Sequence, residues 1–217
     1  MAHPEHAPRA PDWDHLYKVA EGQAGYFTTR QAAEAGYSPQ LLVYLSGKKV
    51  SRVRRGIYRL IHFSASDHEE LVMLWLWSKR AGVFSHETAL ALHDLSDVLP
   101  GKVHMTLPRA WQRRRLRVPE GLVLHFANVE EAERGHFGAV PVTVPLRTLR
   151  DCLAMDLAPG LIDQAIFQAR HRGLITAAEA AGLRGARSGQ AGFSPKTALP
   201  SCHRKAGNLD CRLGLRH

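Results

Sequence analysis

Residues 38–60, SPQLLVYLSGKKVSRVRRGIYRL, decide which fold the sequence predicts. Ser38 is a favoured helix N-cap, and Pro39 suits the first helical turn, where its missing N–H is not needed. A helix that begins there can end at Gly47, since glycine favours helix termination. Beyond it, apolar and polar residues alternate on both sides of Arg55-Gly56, which is typical of a β-hairpin. The stretch therefore predicts a short helix followed at once by a hairpin.

Two further helices are predicted before this one. Residues 13–20 have apolar side chains at helical spacing, and residues 30–35 follow a candidate N-cap at Thr28 or Thr29. Gly36-Tyr37 can form the tight turn between the second and third helices. The order helix, short strand, helix, turn, helix, hairpin is that of a winged helix-turn-helix, a DNA-binding fold.

The rest of the chain has a different pattern. After Leu60, strand-like segments at 103–107, 122–126 and 140–144 mix with helix-like segments. Ser66 or Asp67 is the predicted cap of a helix at 69–80, and the last predicted helix, at 176–181, begins with a capping box between Thr176 and Glu179. The apolar periodicity disappears after Gly182. We therefore predict an α+β protein with a flexible lead-in at 1–12, a winged helix DNA-binding domain at 13–60, a mixed α/β C-terminal domain at 61–183 and a disordered basic tail at 184–217.

The positive charge is concentrated in two segments. The chain has 29 Lys and Arg residues against 20 Asp and Glu, a formal net charge of +9. Residues 13–60 carry eight basic and three acidic side chains, and the tail carries seven and one, while residues 61–183 are almost neutral. A localised positive field indicates a polyanionic partner such as nucleic acid.

The third predicted helix has two unlike faces. Its leucines lie on one side, while Gln40, Val43 and Tyr44 lie on the other. A glutamine can form paired hydrogen bonds with adenine in the major groove, and Ser38 can bond a phosphate. The alternative is that this polar face merely contacts water.

The hairpin makes DNA the favoured partner. Six basic residues and no acidic residue occur between positions 48 and 59, and strand alternation predicts that Arg52 and Arg54 lie opposite Val53 with Arg55 at the tip. Such a wing can follow phosphates or insert an arginine into the minor groove, although a solvated cationic hairpin would have the same composition. The candidate DNA contacts are Thr29, Arg30, Ser38, Gln40, Tyr44, Lys48, Lys49, Arg52, Arg54 and Arg55.

A second basic cluster follows the predicted strand at 103–107. Arg113, Arg114 and Arg115 lie next to Trp111 and form a candidate extra nucleic-acid contact. A solvated loop between strands is the alternative.

Enzymatic and metal-binding motifs are not recognised in the sequence. Ser85-His86-Glu87 lacks the His-Glu-x-x-His spacing of zinc proteases and is explained by Ser85 as an N-cap. Cys202-His203 with Cys211 and His217 does not match a zinc knuckle, and neither a nucleophile elbow nor a phosphate loop occurs. We therefore expect no catalytic residue, no metal and no cofactor. Without a signal segment or a long apolar run, a cytoplasmic protein without membrane contact is expected.

Several blocks make the sequence similar to a known family. They are GYFTTRQA at 25–32, GYS at 36–38, RVRRGIYR at 52–59, SHETALALHDL at 85–95, VHMTLP at 103–108 and PVTVPLRTLRD at 141–151. Over about residues 13–183 the chain resembles AbiEi-type antitoxins, the regulator halves of type IV toxin–antitoxin systems. The resemblance implies that Arg54, Arg55 and the helix around Gln40 contact DNA. It also implies that the C-terminal domain is responsible for the antitoxin activity.

The resemblance also implies a function and partners. It implies a transcriptional autorepressor that binds inverted repeats at its own promoter. Because an inverted repeat has two half-sites, we predict two copies on one operator. It implies opposition to a nucleotidyltransferase-type toxin without a need for direct contact. Three alternatives stay open: a nuclease-like enzyme that the winged helix targets to nucleic acid, an orphan regulator, and a protein-binding module whose cationic hairpin meets an acidic partner.

Overall fold

The computed structural model describes residues 10–63, 68–155 and 157–190. Within these ranges the chain folds into α-helices and two β-sheets, so the predicted α+β class is confirmed. None of the helices in this part of the chain is both long enough and apolar enough to cross a bilayer.

The N-terminal elements follow the predicted order. They are α1 (Trp13–Glu21), β1 (Tyr26–Thr28), α2 (Thr29–Glu34), α3 (Pro39–Leu45), β2 (Val50–Arg54) and β3 (Ile57–Leu60). The three strands form an antiparallel sheet in the order β1-β3-β2. This helix-rich region fits a helix-turn-helix, with the β2–β3 hairpin directly after α3.

Side-chain caps explain where these helices begin. Asp12 accepts a hydrogen bond from His15 N at 2.9 Å at the start of α1, and Ser38 accepts one from Leu41 N at 3.2 Å at the start of α3. Thr28, rather than Thr29, caps α2, because Thr28 and Gln31 exchange the two hydrogen bonds of a capping box. The caps were readable from sequence since they act over three residues.

The N-terminal helices pack on one face of the first sheet. Leu16 of α1 and Leu42 of α3 are completely buried there with Phe27, whose ring stacks on Tyr58 at 5.8 Å between centroids. Gly25 allows the chain to enter β1, because its φ is +87° and a Cβ atom would lie 2.4 Å from Phe63.

The remaining elements form the second sheet and the helices around it. They are α4 (Glu69–Trp77), β4 (Val83–Phe84), α5 (His86–Leu92), β5 (Val103–Leu107), β6 (Leu122–Phe126), β7 (Arg134–Phe137), β8 (Val140–Thr143), α6 (Pro145–Ala154), α7 (Pro159–His171) and α8 (Ala177–Gln190). The strand order is β6-β5-β4-β8-β7; β5 pairs with β6 and β4 pairs with β8 in parallel, and the other pairs are antiparallel.

The apolar core is continuous across the predicted division at residue 60. Tyr26 and Ile57 of the first sheet belong to the same buried cluster as Leu74 and Phe84 of the following elements. Polar contacts reinforce this connection: Tyr26 Oη donates to Glu69 Oε2 at 2.6 Å, and Arg59 Nη1 lies 3.5 Å from the same oxygen. The first sheet is therefore covered on both faces.

The end of the described chain differs from the prediction. The last helix was predicted to end at Ala181 and the disordered tail to begin at residue 184, whereas α8 runs to Gln190. Four of its first five residues are alanine, the strongest helix former, and the helix continues through three glycines, at positions 182, 185 and 189. Residues 191–217, like the predicted caps Ser66 and Asp67 of α4 and most of the lead-in, lie outside the described residues.

Candidate nucleic-acid interface

Helix α3 presents the predicted polar face to solvent. Leu42 is fully buried beneath it, while Gln40 is exposed and Tyr44 is 64% exposed. Val43, beside them, is 69% exposed. An amide, a phenol and an apolar side chain exposed on one short helix provide hydrogen-bonding and apolar contacts of the kind that read base edges.

The two lysines after α3 are placed differently from each other. Lys48 Nζ lies 3.8 Å from the centroid of the Tyr44 ring, so its charge sits on the exposed face of α3. Lys49 Nζ lies 4.6 Å from the Trp13 ring and so is held against α1. Of the two, Lys48 is the one that extends the exposed face of α3.

The hairpin does not follow the simple alternation that the sequence predicted. Arg52 pairs with Tyr58 and Arg54 with Ile57, so one extra residue, Val53, interrupts the ladder between them. Cross-strand partners share a face, and Tyr58 and Ile57 pack in different clusters on opposite faces of the sheet. The register therefore places Arg52 on the face that α1, α2 and α3 cover and Arg54 on the face toward α4, and both are exposed.

The hairpin turn is fastened to the beginning of α2. Thr29 N donates a hydrogen bond of 2.9 Å to Gly56 O, and Gly56 itself has a φ of +79°. Arg55 is consequently adjacent to the segment that carries Thr29 and Arg30. Arg30 is 82% exposed and its Nε lies 3.0 Å from Glu34 Oε1, a surface pair weak enough to be exchanged for a phosphate.

Arg59, counted among the six bases of the hairpin region, has another role. Its side chain is only 25% exposed and pairs with Glu69, so it joins β3 to α4. The exposed cations of this region are therefore the remaining five: Lys48, Lys49, Arg52, Arg54 and Arg55.

Two cations that the sequence analysis did not single out lie beside α2. A 420 Å³ cavity between α2 and the end of α4 is lined by Thr28, Arg30, Gln31, Glu34, Leu76, Lys79 and Arg80. Lys79 and Arg80 are exposed and adopt left-handed φ values of 56° and 64°. They belong to an almost neutral segment, so charge counting along the chain missed them.

The second basic cluster lies in the connection between β5 and β6. Arg113, Arg114 and Arg115 are exposed after a short 3-10 helix at Arg109–Trp111, and the Arg114 guanidinium lies 4.3 Å from the Trp111 ring centroid. This arginine–tryptophan pair is the arrangement that the sequence suggested for stacking contacts. Its binding role stays a prediction.

The segment at Ser85 departs from its predicted role. Ser85 occupies the N-cap position of α5 but its side chain does not cap the helix. Its Oγ lies instead 2.7 Å from Thr106 Oγ1 and 2.8 Å from His86 Nδ1. His86 faces two histidines from β5 and β6, His104 and His125, a cluster that sequence spacing did not reveal.

Burial governs the protonation of this cluster. It lowers the pKa of His86 to about 3 and that of His125 to about 4, and repulsion between the rings adds to the shift. The pKa of His104 is lowered as well, again chiefly by burial. The three imidazoles are therefore uncharged at neutral pH.

Comparison with known proteins finds a family match in the N-terminal segment. Residues 15–61 match the sequence model of a family described as a transcriptional regulator, the AbiEi antitoxin. The match begins inside α1 and covers α2, α3 and the hairpin, and it confirms over this segment the family resemblance noted from the sequence. No curated protein matches the chain.

A solved structure also shows similarity to the chain. It is the crystal structure of the RV2827C protein from Mycobacterium tuberculosis, with 16% sequence identity over 86% of each chain and a TM-score of 0.39. A score this low does not establish a shared fold.

Proposed function

We propose that the protein is a DNA-binding transcriptional autorepressor and the antitoxin of a type IV toxin–antitoxin pair. The observation that carries the proposal is the exposed surface of α3 and the hairpin. On this surface, α3 exposes side chains that can contact base edges, and five exposed cations surround them without an acidic residue. The surface lies inside the segment that matches the AbiEi transcriptional regulator family. A cationic surface of this kind suits the phosphate backbone.

In this proposal α3 enters the major groove. Gln40 pairs with a base edge, Tyr44 makes apolar and hydrogen-bond contacts beside it, and the Ser38 hydroxyl donates to a phosphate. The Ser38 oxygen already accepts from Leu41 N, which leaves its proton free for that bond. Leu42 supports the helix from below and takes no part in reading.

The hairpin acts as a wing with two separate groups of cations. Arg52 lies on the α3 side with Lys48. The second group is Arg54, on the opposite face of the hairpin, and Arg55, beside Thr29 and Arg30 at the beginning of α2. Because the turn is tied to Thr29 by a hydrogen bond, the wing is short and held close to the helices. We therefore assign it to phosphates at the edge of the groove rather than to deep insertion into the minor groove.

The partners of this activity follow from the family. We propose that two copies bind an inverted repeat in the protein's own promoter, with half-sites about 10 bp or a multiple of it apart. The functional counterpart is a nucleotidyltransferase-type toxin, which the regulator opposes without obligatory contact. No catalytic role is assigned to this chain.

Titration of the protein with its own upstream DNA tests the proposal. At three or four phosphate contacts per subunit, log K should fall with log salt at a slope of about −3 to −4 per subunit. The double variant Arg54→Ala/Arg55→Ala should weaken binding to every sequence and flatten this slope by about 2. The matched control is the double variant Arg150→Ala/Arg170→Ala, which removes two exposed arginines of α6 and α7.

The results separate the alternatives. Equal loss in both variants would mean that bulk charge, not this surface, attracts DNA. No binding at low salt would leave the protein-binding module as the better explanation. Specific cleavage of labelled DNA or RNA with Mg²⁺ or Mn²⁺ would instead support the nuclease-like enzyme.

A further inference from the structure

Three histidines meet beside the second sheet, away from the proposed DNA interface. His86 begins α5, His104 lies in β5 and His125 lies in β6. His104 Nδ1 and His125 Nε2 are 3.0 Å apart, and the rings of His86 and His125 stack at 3.6 Å between centroids. One ring nitrogen of each residue lies within 4.8 Å of those of the other two.

The sheet register brings these side chains to one face. His125 pairs with Thr106 in the parallel β5–β6 ladder, and residues two apart in a strand point the same way, so His104 and His125 are neighbours. β4 lies on the other side of β5, and the chain leaves it through Ser85 directly into His86. Two strands and a helix start, not a flexible loop, therefore hold the cluster.

The backbone at His86 is held in an uncommon conformation. Its φ is 55°, in the left-handed region that residues other than glycine rarely occupy because of a steric penalty. The Ser85 side chain, which would normally cap α5, bonds the His86 ring instead. The helix therefore lacks a side-chain cap and His86 has an unfavourable backbone conformation. In this arrangement the His86 ring faces the other two rings.

We propose that His86, His104 and His125 bind one divalent transition-metal ion, with zinc as the best match. Zinc accepts imidazole nitrogen at about 2.0–2.1 Å, which in a tetrahedral site separates two ligand nitrogens by about 3.3 Å. The 3.0 Å separation of His104 and His125 is close to this value. His86 must turn out of its stack with His125 to complete the set. An all-nitrogen site disfavours Mg²⁺ and Ca²⁺, which prefer oxygen ligands.

The surroundings resemble those of protein metal ligands. A ligating histidine commonly has its second ring nitrogen bonded to an oxygen, which orients the ring. His86 Nδ1 has this bond with Ser85 Oγ, which contacts Thr106 Oγ1 in turn, and its Nε2 remains for the ion. His86 and His104 are buried, while His125 is partly exposed and offers a path from solvent. Three protein ligands leave a fourth position for water.

Cobalt titration of the full chain, stripped of metal by a chelator, tests the site. Co²⁺ is a coloured substitute for zinc, and we expect one equivalent to give the visible bands of a nitrogen-ligated centre, which Zn²⁺ then displaces. A thiolate-to-cobalt charge-transfer band must not accompany them, since that band would indicate Cys202 or Cys211. His125→Gln should lower the affinity for Co²⁺ by at least about tenfold. His136→Gln, at an exposed histidine of β7, is the matched control and should bind as the parent does.

A second variant keeps the test decisive if one substitution disturbs folding. His104→Gln should show the same loss of affinity, and far-ultraviolet circular dichroism of each metal-free variant checks that it is folded. Thermal unfolding provides an independent readout, because an ion that binds only the folded state raises the Tm of the parent and not that of the variants. Unchanged cobalt binding in a folded His125→Gln or His104→Gln variant, or failure of the parent to bind, would overturn the proposal. None of these measurements involves DNA.

Discussion

The α3–hairpin surface and the histidine cluster are built in opposite ways. The first comes from one continuous run of sequence, residues 38–55, and exposes its charges to solvent. The second joins three segments that are far apart along the chain and holds three uncharged rings, two of them buried. A continuous surface can be recognised from residue order, whereas a cluster that strand pairing assembles cannot.

The largest effect on stability is expected for Leu42, the buried residue of α3 beneath the exposed surface. Leu42→Ala removes a completely buried side chain and should lower the free energy of unfolding by about 2–5 kcal/mol. Tyr44→Ala, on the exposed side of the same helix, should change stability by less than about 0.5 kcal/mol yet weaken DNA binding. Chemical denaturation and DNA titration of both variants measure the two effects. Comparable destabilisation would show that Tyr44 belongs to the core and not to the interface.

The next effect sharpens what α3 reads. Gln40→Ala should reduce the preference for one base pair by about 1–3 kcal/mol and leave binding to random DNA unchanged. Binding to the operator and to variants with each base pair replaced in turn would locate the affected position. If specific and random DNA are weakened alike, Gln40 does not read a base.

A smaller effect tests whether the interface extends beyond the continuous run. Lys79→Gln/Arg80→Gln removes the two cations that the cavity places beside Arg30, and the salt slope of DNA binding should flatten by about 1 for each phosphate that is no longer neutralised. Lys102→Gln, at an exposed lysine directly before β5, is the control. An unaltered slope in the double variant would confine the interface to α2, α3 and the hairpin.

The smallest effect concerns pH and a histidine outside the cluster. Burial lowers the pKa of His93, and the nearby Arg172 acts in the same direction. The hydrogen bond of 2.7 Å between His93 Nε2 and Thr143 O opposes this shift, and the pKa stays below its usual value. The unfolded chain therefore binds this proton more readily than the folded one. The contribution of neutral His93 to the free energy of unfolding is therefore fully present above a pH of about 6.5, the pKa in the unfolded chain. It is lost as the pH falls below that value.

His93→Gln should accordingly reduce the loss of stability on acidification. The free energy of unfolding of both proteins, measured by denaturation at several pH values between about 5 and 7, gives the comparison. Parallel curves for the two proteins would assign the acid sensitivity to other groups.

Elements with local signals were predicted closely. The hairpin strands at 50–54 and 57–60, the Ser38 cap and the Thr176–Glu179 capping box occur where the sequence placed them. Each depends on contacts between residues only a few positions apart. β4 and β7 were missed: β4 has only two residues, and β7, with the sequence RGHF, is too polar to stand out as a strand before it pairs with β8.

The candidate interface was predicted in composition but not in arrangement. The sequence identified all five exposed cations of the hairpin region, yet it did not reveal that a bulge separates Arg52 from Arg54 or that Arg59 pairs with Glu69. Nor did it indicate that Lys79 and Arg80 lie beside α2. A strand register and an ion pair between distant elements depend on the whole fold, so a local sequence pattern cannot predict them.

By itself the sequence determined the order of the N-terminal elements, the beginnings of α1, α2 and α3, and the localised positive charge. Those features follow from caps, turns and side-chain charge, which act over a few residues. Only the tertiary structure decided which face of the hairpin each arginine occupies and that His86, His104 and His125 meet. Strand pairing and core packing set these relations, because they join residues whose separation along the chain carries no information about their distance in space.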